Sequence, residues 1–501
     1  MTAVLDDAAP LTAPRMGFLS RLGYGLGAMP AGMLLTAIGA QILVFYLNQV
    51  VGISPNLTGD LILASLLIDA VLDPLIGRWS DGVKSRWGRR HPFMYVGAVL
   101  TAVAFYALWH APKELSVSAL FGYMMLLLIA VRIGNSVSDI PANALLPELA
   151  PDYDERTTVT SFRWFFLMFG LVGSNVLLNS VFLRTHGHDT AGLLKASGYS
   201  SFGALAAVVL FLATAGSALT TQKRALALHV APQEKVPFAT SVKEIFSTLT
   251  HPALIVVMMC GVFGGAGYGF RTALDNYFYT HLWGLQPQQI AGISLFGFVG
   301  ALAALFIAPV LSRLLGKKMT MIALFSVSTI VSLIPMSLKL LGLMPPNTSP
   351  WVFPILVMDA IFVLGLSITG YVIISSMVAD IAEDNGARTG KRSEGLLFAA
   401  NGLVAKVTGG LGIFLSSRLI TFVHFPAHAA QGTVPLATMR ELTLLFIPIY
   451  AGLVALSLGV LLFYRIDKAT HERNLETMRE AAGKTSPKGR SPRRCCCFPC
   501  P

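Results

Sequence analysis

Residues 57–80 read LTGDLILASLLIDAVLDPLIGRWS. The stretch is long and apolar enough to cross a bilayer, which takes roughly 20 residues of helix. Yet it carries two carboxylates, Asp69 and Asp73, in its interior. An ionisable side chain near the bilayer centre costs about 2.5–3.5 kcal/mol on insertion scales, so two of them need a reason. A spacing of four places both on one helical face, about 6 Å apart. Two carboxylates that close repel in low dielectric, and the repulsion is relieved when one takes a proton or both share a cation. The pair therefore reads as a cation-coupling site. The plainer alternative pairs each acid with a basic residue from another helix.

Eleven further apolar runs surround this one. The expected spans are 22–48, 57–80, 92–111, 116–146, 158–182, 199–220, 251–280, 288–312, 318–341, 351–381, 395–421 and 440–464. Of the 501 residues, 54% are hydrophobic and only 13% charged, against about 25% charged in a soluble domain. The composition excludes a soluble enzyme and a nucleic-acid binder. It predicts an all-α membrane protein, since lipid offers no partner for open backbone groups. The net charge of +11 is distributed as a topology signal. Sixteen Lys and Arg lie in the loops after helices 2, 4, 6, 8 and 10, and six in the opposite loops, so both termini are expected in the cytoplasm. Asp6 and Asp7 replace the basic region of a signal peptide, and the first apolar segment is expected to stay uncleaved.

The polar, basic stretch 221–250 is the longest loop and divides the spans six and six. A weak repeat supports the division. Gly77-Arg78-Trp79-Ser80-Asp81 followed by Gly88-Arg89-Arg90 has its counterpart in Ala308-Pro309-Val310-Leu311-Ser312-Arg313 followed by Gly316-Lys317-Lys318. The expected organisation is a tail, 1–21; a six-helix bundle, 22–220; an inter-bundle loop, 221–250; a second six-helix bundle, 251–464; and a basic cytoplasmic tail, 465–501. Of five cysteines, Cys260 lies in an apolar run and Cys495, Cys496, Cys497 and Cys500 end the chain. No spacing suggests disulfides. The tail reads as dispensable, with lipidation of its cysteines as the alternative.

Other intramembrane charges extend the site. Arg132, Asn135, Ser136 and Asp139 fall at spacings that align them along one stripe of helix 4. Helix 5 adds Arg163 beside Trp164, Phe165 and Phe166, and helix 11 adds Lys406 about eleven residues into its span. Lys406 comes from the other half of the chain, so a bridge from it to Asp69, Asp73 and Asp139 would form in one conformation and break in another. Asp359 and Tyr371 of helix 10 are further cavity candidates, whereas Arg271 and Asp275 read as a local i, i+4 pair. The inner-loop residues Asp81, Arg86, Arg89 and Arg90 are expected to latch the halves in one state. No nucleotide-binding loop, zinc-protease or nucleophile-elbow motif is present. The string Gly386-Ala387-Arg388-Thr389-Gly390-Lys391-Arg392 has the wrong spacing for phosphate binding, and the His186/His188 and His424/His428 pairs read as solvated loop residues. Neither an enzyme activity, a resident metal nor a cofactor is expected. The expected partners are a small solute, a monovalent cation and the bilayer, with the chain acting as a monomer.

Several stretches resemble one family. Asp69 through Gly77, with Ser80-Asp81 and Ser85-Arg86-Trp87-Gly88-Arg89-Arg90-His91-Pro92, closely resembles the helix 2–3 region of the glycoside–pentoside–hexuronide:cation symporters, the melibiose-carrier branch of the major facilitator superfamily. Asp139-Ile140-Pro141 through Leu149, then Glu155-Arg156-Thr157 and Arg163, is similar to its helix 4–5 region. Ala379-Asp380 through Gly395, Lys406, and Tyr24-Gly25-Leu26-Gly27-Ala28 also fit. The resemblance implies two six-helix bundles, alternating access, Asp69, Asp73 and Asp139 as cation-linked carboxylates, Lys406 as their partner and Arg163 as a cavity residue. It implies a bacterial plasma-membrane symporter of a glycoside or related solute. A lysolipid or other amphipathic solute is the alternative, because lysophosphatidylcholine symporters share the broad family. Two departures matter. Ala31 and Gly32 stand where melibiose-type members carry Lys-Asp, which argues against a galactoside. Leu72 stands where they carry Asn, which argues for a proton over sodium, although Ser136 and Asp139 offer oxygens to either ion.

Overall fold

The computed structural model describes residues 16–83, 85–112, 114–150, 152–185, 192–227, 252–389 and 394–464. These form twelve long helical segments: α1 (Phe18–Val51), α2 (Pro55–Gly82), α3 (His91–Leu108), α4 (Val117–Ala144), α5 (Tyr153–Leu177), α6 (Ala196–Ala227), α7 (Pro252–Leu282), α8 (Pro287–Leu315), α9 (Lys317–Leu340), α10 (Val352–Thr389), α11 (Glu394–Phe422) and α12 (Leu436–Leu461). Among the described residues, ten helices meet both the length and the apolarity needed to cross a membrane. The two outside that set are α2, which carries Asp69 and Asp73, and α11, which carries Lys406. The loop lysines Lys84 and Lys113, the histidines His186 and His188, the inter-bundle loop beyond Ala227, Lys391 and Arg392, and the cysteine-ending tail lie outside the described residues.

Local chemistry sets the helix starts. Ser54, Ser116 and Asp152 each accept a backbone N–H from the first turn of α2, α4 and α5, which satisfies a donor that has no partner inside the helix. Pro55 and Pro287 occupy the first turn of α2 and α8, where the missing N–H costs nothing. The span expected at 22–48 is one helical path in pieces, with breaks at Gly27–Ala28 and Ile38–Gly39 and a π-turn over Tyr46–Val51. The span expected at 351–381 continues one helix to Thr389.

The packing repeats itself. In the first bundle α1 packs on α5 and α6, α2 on α4, and α3 on α4 and α6. In the second, α7 packs on α11 and α12, α8 on α10, and α9 on α10 and α12. Each pairing recurs six helices later. The closest approaches are made by glycine. A Cβ on Gly32 of α1 would sit 1.9 Å from the Leu167 carbonyl oxygen of α5. In the equivalent pair, a Cβ on Gly412 of α11 would sit 2.0 Å from the Ala266 carbonyl oxygen of α7. Between helices in lipid, where apolar burial gives no drive, such close backbone packing holds the pair together. The repeat is asymmetric where it matters. Pro74-Leu75-Ile76-Gly77-Arg78 of α2 corresponds to Pro309-Val310-Leu311-Ser312-Arg313 of α8, so Ala308 stands in the place of Asp73.

The bundles touch mainly at one end, opposite the start of α1. There Gln41 and Asn276 exchange hydrogen bonds of 3.1 and 3.0 Å between α1 and α7. The Tyr277 hydroxyl donates to Asn48 Oδ1 at 2.9 Å, and Gln49 Oε1 accepts from the Ala429 N–H at 2.9 Å. Arg418 of α11 pairs with Asp60 of α2 at 2.5 Å, and Ser294 of α8 donates to Asn175 of α5 at 3.1 Å. At the end where α1 starts, the ion pairs among the described residues stay inside one bundle. Arg89 and Arg90 hold Glu148 at 2.5 and 3.1 Å, and Lys317 holds Asp380 at 2.6 Å. Among the described residues, the hydrogen bonds and ion pairs that join the bundles thus lie away from the end where α1 starts.

Candidate functional site

Ser65, Asp69 and Asp73 follow one another at intervals of four along α2, so they form a single stripe on the face turned toward α4 and α11. Asp69 is 5% exposed. Lys406, near the middle of the 29-residue α11, reaches from the second bundle and donates to Asp69 Oδ2 at 2.9 Å and to Asp73 Oδ2 at 2.5 Å. Ser136 Oγ of α4 donates to Asp69 Oδ1 at 3.1 Å, and Arg132 Nε donates to Ser65 Oγ at 3.1 Å. The second oxygen of Asp73, Oδ1, is buried without a hydrogen-bond partner among the described residues. One ammonium thus lies between two carboxylates.

Asp139 is not part of this cluster. Arg163 donates to its Oδ1 at 3.0 Å and Asn143 to its Oδ2 at 2.8 Å. The Arg163 guanidinium also lies 5.0 Å from the Tyr24 ring centroid, and Tyr24 donates to the Ala142 carbonyl at 2.9 Å. The expectation that Lys406 pairs with acids of helices 2 and 4 is therefore corrected to helix 2 alone. Arg163 lies nearer Asp139 and neutralises it from α5. Asn135 lies half-buried on the same α4 stripe. Trp164 is largely exposed, as is Phe165, which is edge-on to Phe166 at 5.3 Å.

The expected latch is also redrawn. Arg90 pairs with Asp81 at 3.0 Å, and both Arg89 and Arg90 converge on Glu148, so these residues tie the α2–α3 turn to the end of α4 within one bundle. Arg86 is exposed, with its guanidinium 5.7 Å from the Trp87 ring centroid. Glu148 and Ser65 were not singled out from the sequence. The spacing of four that links Asp69 to Asp73 also reaches Ser65. The repeated Gly-basic-basic turn, with a matching acid on each side, would have pointed to Glu148 and Asp380. In the second bundle, Arg271 and Asp275 form the expected i, i+4 pair at 3.8 Å. Asp359 Oδ1 is buried without a hydrogen-bond partner among the described residues, and Tyr371 lines a cavity between helices.

A profile described as MFS/sugar transport protein matches residues 23–468. The chain is 24% identical to the isoprimeverose transporter of Lactiplantibacillus pentosus, over 92% of this chain and 93% of the relative. It is 25% identical to the putative glycoside/cation symporter YagG of Escherichia coli, over 93% of this chain and 96% of the relative. Among solved structures, the inward-open xylose transporter XylE of E. coli superposes with a TM-score of 0.59 at 14% identity, covering 92% of this chain and 98% of that one. The chain is an integral, multi-pass membrane transporter and belongs to the MFS/sugar transport protein family, in its glycoside–pentoside–hexuronide branch.

Proposed function

We propose that the protein is a cation-coupled symporter of a glycoside or related small sugar-like solute, working by alternating access as a monomer, with both termini in the cytoplasm of a bacterium. The observation that carries this reading is the bond of Lys406, from the second bundle, to both Asp69 and Asp73 of the first. A cation entering the acid pair competes with the ammonium for the same oxygens. When it wins, the charge that bound the bundles together is released, and the rocking motion becomes linked to ion occupancy. The names of the relatives, an isoprimeverose transporter and a putative glycoside/cation symporter, support the solute class.

A proton is favoured as the coupling ion. Sodium takes several oxygens closing around it, and Leu72 supplies none beside Asp73. A proton takes one sequestered carboxyl with a like-charged neighbour, and the unpartnered, buried Asp73 Oδ1 beside Asp69 supports that role. The test is uptake of labelled xylosides and glucosides into proteoliposomes under an imposed inward proton gradient in sodium-free buffer. The expected result is accumulation that a protonophore collapses. Strict sodium dependence at fixed pH, with no protonophore response, would refute proton coupling. No gradient-driven uptake with either ion would refute symport.

A further inference from the structure

The second bundle contains a cavity of about 310 Å³ that the charge cluster does not use. Five helices line it. α7 supplies Cys260, Gly261, Gly264, Gly265 and Tyr268; α9 and α10 supply Phe325 and Tyr371; α12 supplies Tyr450. Of the three α7 glycines that line it, Gly264 and Gly265 lie close against Ser457 and Thr408, whereas Gly261 faces open space. Built on Gly261, a Cβ would meet only the Val404 methyl, at 3.5 Å. Four aromatic rings dominate the wall, beside the hydroxyls of Ser328, Thr329, Ser367 and Ser457. Tyr371 stands edge-to-face with Tyr268 at 6.4 Å and with Phe325 at 6.2 Å. Tyr268 and Tyr371 face each other from α7 and α10 and are 57% and 42% exposed, so they stand at its mouth. Its one charged lining residue among the described residues, Arg271, is paired with Asp275 at 3.8 Å.

Two further facts say what enters. Val404 and Gly409, which line the cavity from α11, bracket Lys406 within about 5 Å along the helix axis. The cavity thus lies at the depth of the polar centre. Its volume is about twice that of a dry 150 Å³ cavity that accepts one benzene ring. We propose that this cavity receives the apolar aglycone of the transported glycoside. The sugar ring sits at the polar centre between the bundles, and an aryl or short alkyl aglycone of up to about two rings passes Tyr268 and Tyr371 into the second bundle. This rests on the reading of the protein as a glycoside symporter, and it narrows the substrate class to glycosides with an apolar aglycone.

Cys260 reports occupancy of the cavity directly. With the four tail cysteines changed to serine (C495S, C496S, C497S and C500S) in the full-length chain, Cys260 is the sole thiol. N-ethylmaleimide labelling of the purified protein is followed by intact mass, with p-nitrophenyl xyloside or glucoside present, or the matching methyl glycoside. The aryl compound should slow labelling at least tenfold, and the methyl compound less than twofold. Gly261→Leu, which projects into the space, should abolish the aryl protection and raise the aryl compound's half-inhibitory concentration for xyloside uptake about tenfold. Gly261→Ala should keep both and so controls for folding. Aryl glycosides that inhibit uptake yet leave the labelling rate unchanged would overturn the cavity assignment while leaving the symporter reading intact. Failure of Cys260 to label without ligand, or protection by lysophosphatidylcholine but not by the aryl glycoside, would overturn it as well.

Discussion

Replacing Lys406 with alanine removes the ammonium that bonds both Asp69 and Asp73. Breaking a buried ion pair from one side costs about 3–5 kcal/mol, because a charge is left uncompensated. The Lys406 side chain is 38% exposed and that of Asp69 only 6%. Solvent therefore screens part of the effect, and exposed pairs are worth about 1 kcal/mol or less. A loss of about 2 kcal/mol follows as the intermediate value. Because the bond joins two bundles, this energy is withdrawn from the conformation seen here and shifts the balance between conformers about thirtyfold. Spin labels at Gly82 of α2 and Leu315 of α8 report it, since both lie at the end where α1 starts, one on each bundle. In Lys406→Ala the distance distribution should move to shorter values, and the melting temperature should fall by several degrees. Adding Asp73→Asn should restore much of the loss, as expected for groups that act as a unit. An unchanged distribution and melting temperature in the single variant would refute the reasoning.

Other substitutions probe the remaining parts. Gly32→Asp, which restores the acid of melibiose-type relatives, drives a side chain into the Leu167 carbonyl of α5; it should lower expression and melting temperature without conferring galactoside uptake, and a stable galactoside transporter would contradict the packing argument. Arg89→Ala loosens Glu148 inside the first bundle and should cost about 1 kcal/mol or less in stability with solute affinity unchanged, as checked by thermal melting beside solute titration. Among the described residues, Arg163→Ala leaves Asp139 with Asn143 alone, and it should slow transport at least tenfold, read as initial uptake rate. Truncation after Thr485 should leave uptake intact; complete loss would give the tail a role in transport.

How far these features are legible in the sequence depends on the kind of interaction. Asp69, Asp73 and Lys406 stand out because a charge in lipid is costly wherever its partner lies. Which acid receives which base is a matter of distance. Arg163 and Lys406 are equally plausible partners for Asp139 in one dimension, and only the fold, which brings Arg163 to 3.0 Å from Asp139, decides for Arg163. The end where the bundles touch is held largely by neutral amides, Gln41, Asn48, Gln49 and Asn276, which are ordinary at helix ends and carry no signal. The basic turns Gly88-Arg89-Arg90 and Gly316-Lys317-Lys318 are visible as a repeat, but their acids lie about 60 residues further on, at Glu148 and Asp380. The second-bundle cavity is hidden for another reason. It opens where Gly261 carries no side chain, and whether that space is filled depends on four other helices.

Coupling through the acid pair is tested most directly by the ratio of cation to solute flux. In proteoliposomes with little internal buffer, adding an outside xyloside should alkalinise the medium in fixed proportion to solute entry in the wild type. In Asp73→Asn, solute exchange should persist with no accompanying proton movement and no uphill accumulation. An unchanged proton-to-solute ratio in Asp73→Asn would contradict the exchange of Lys406 for a cation at Asp69 and Asp73.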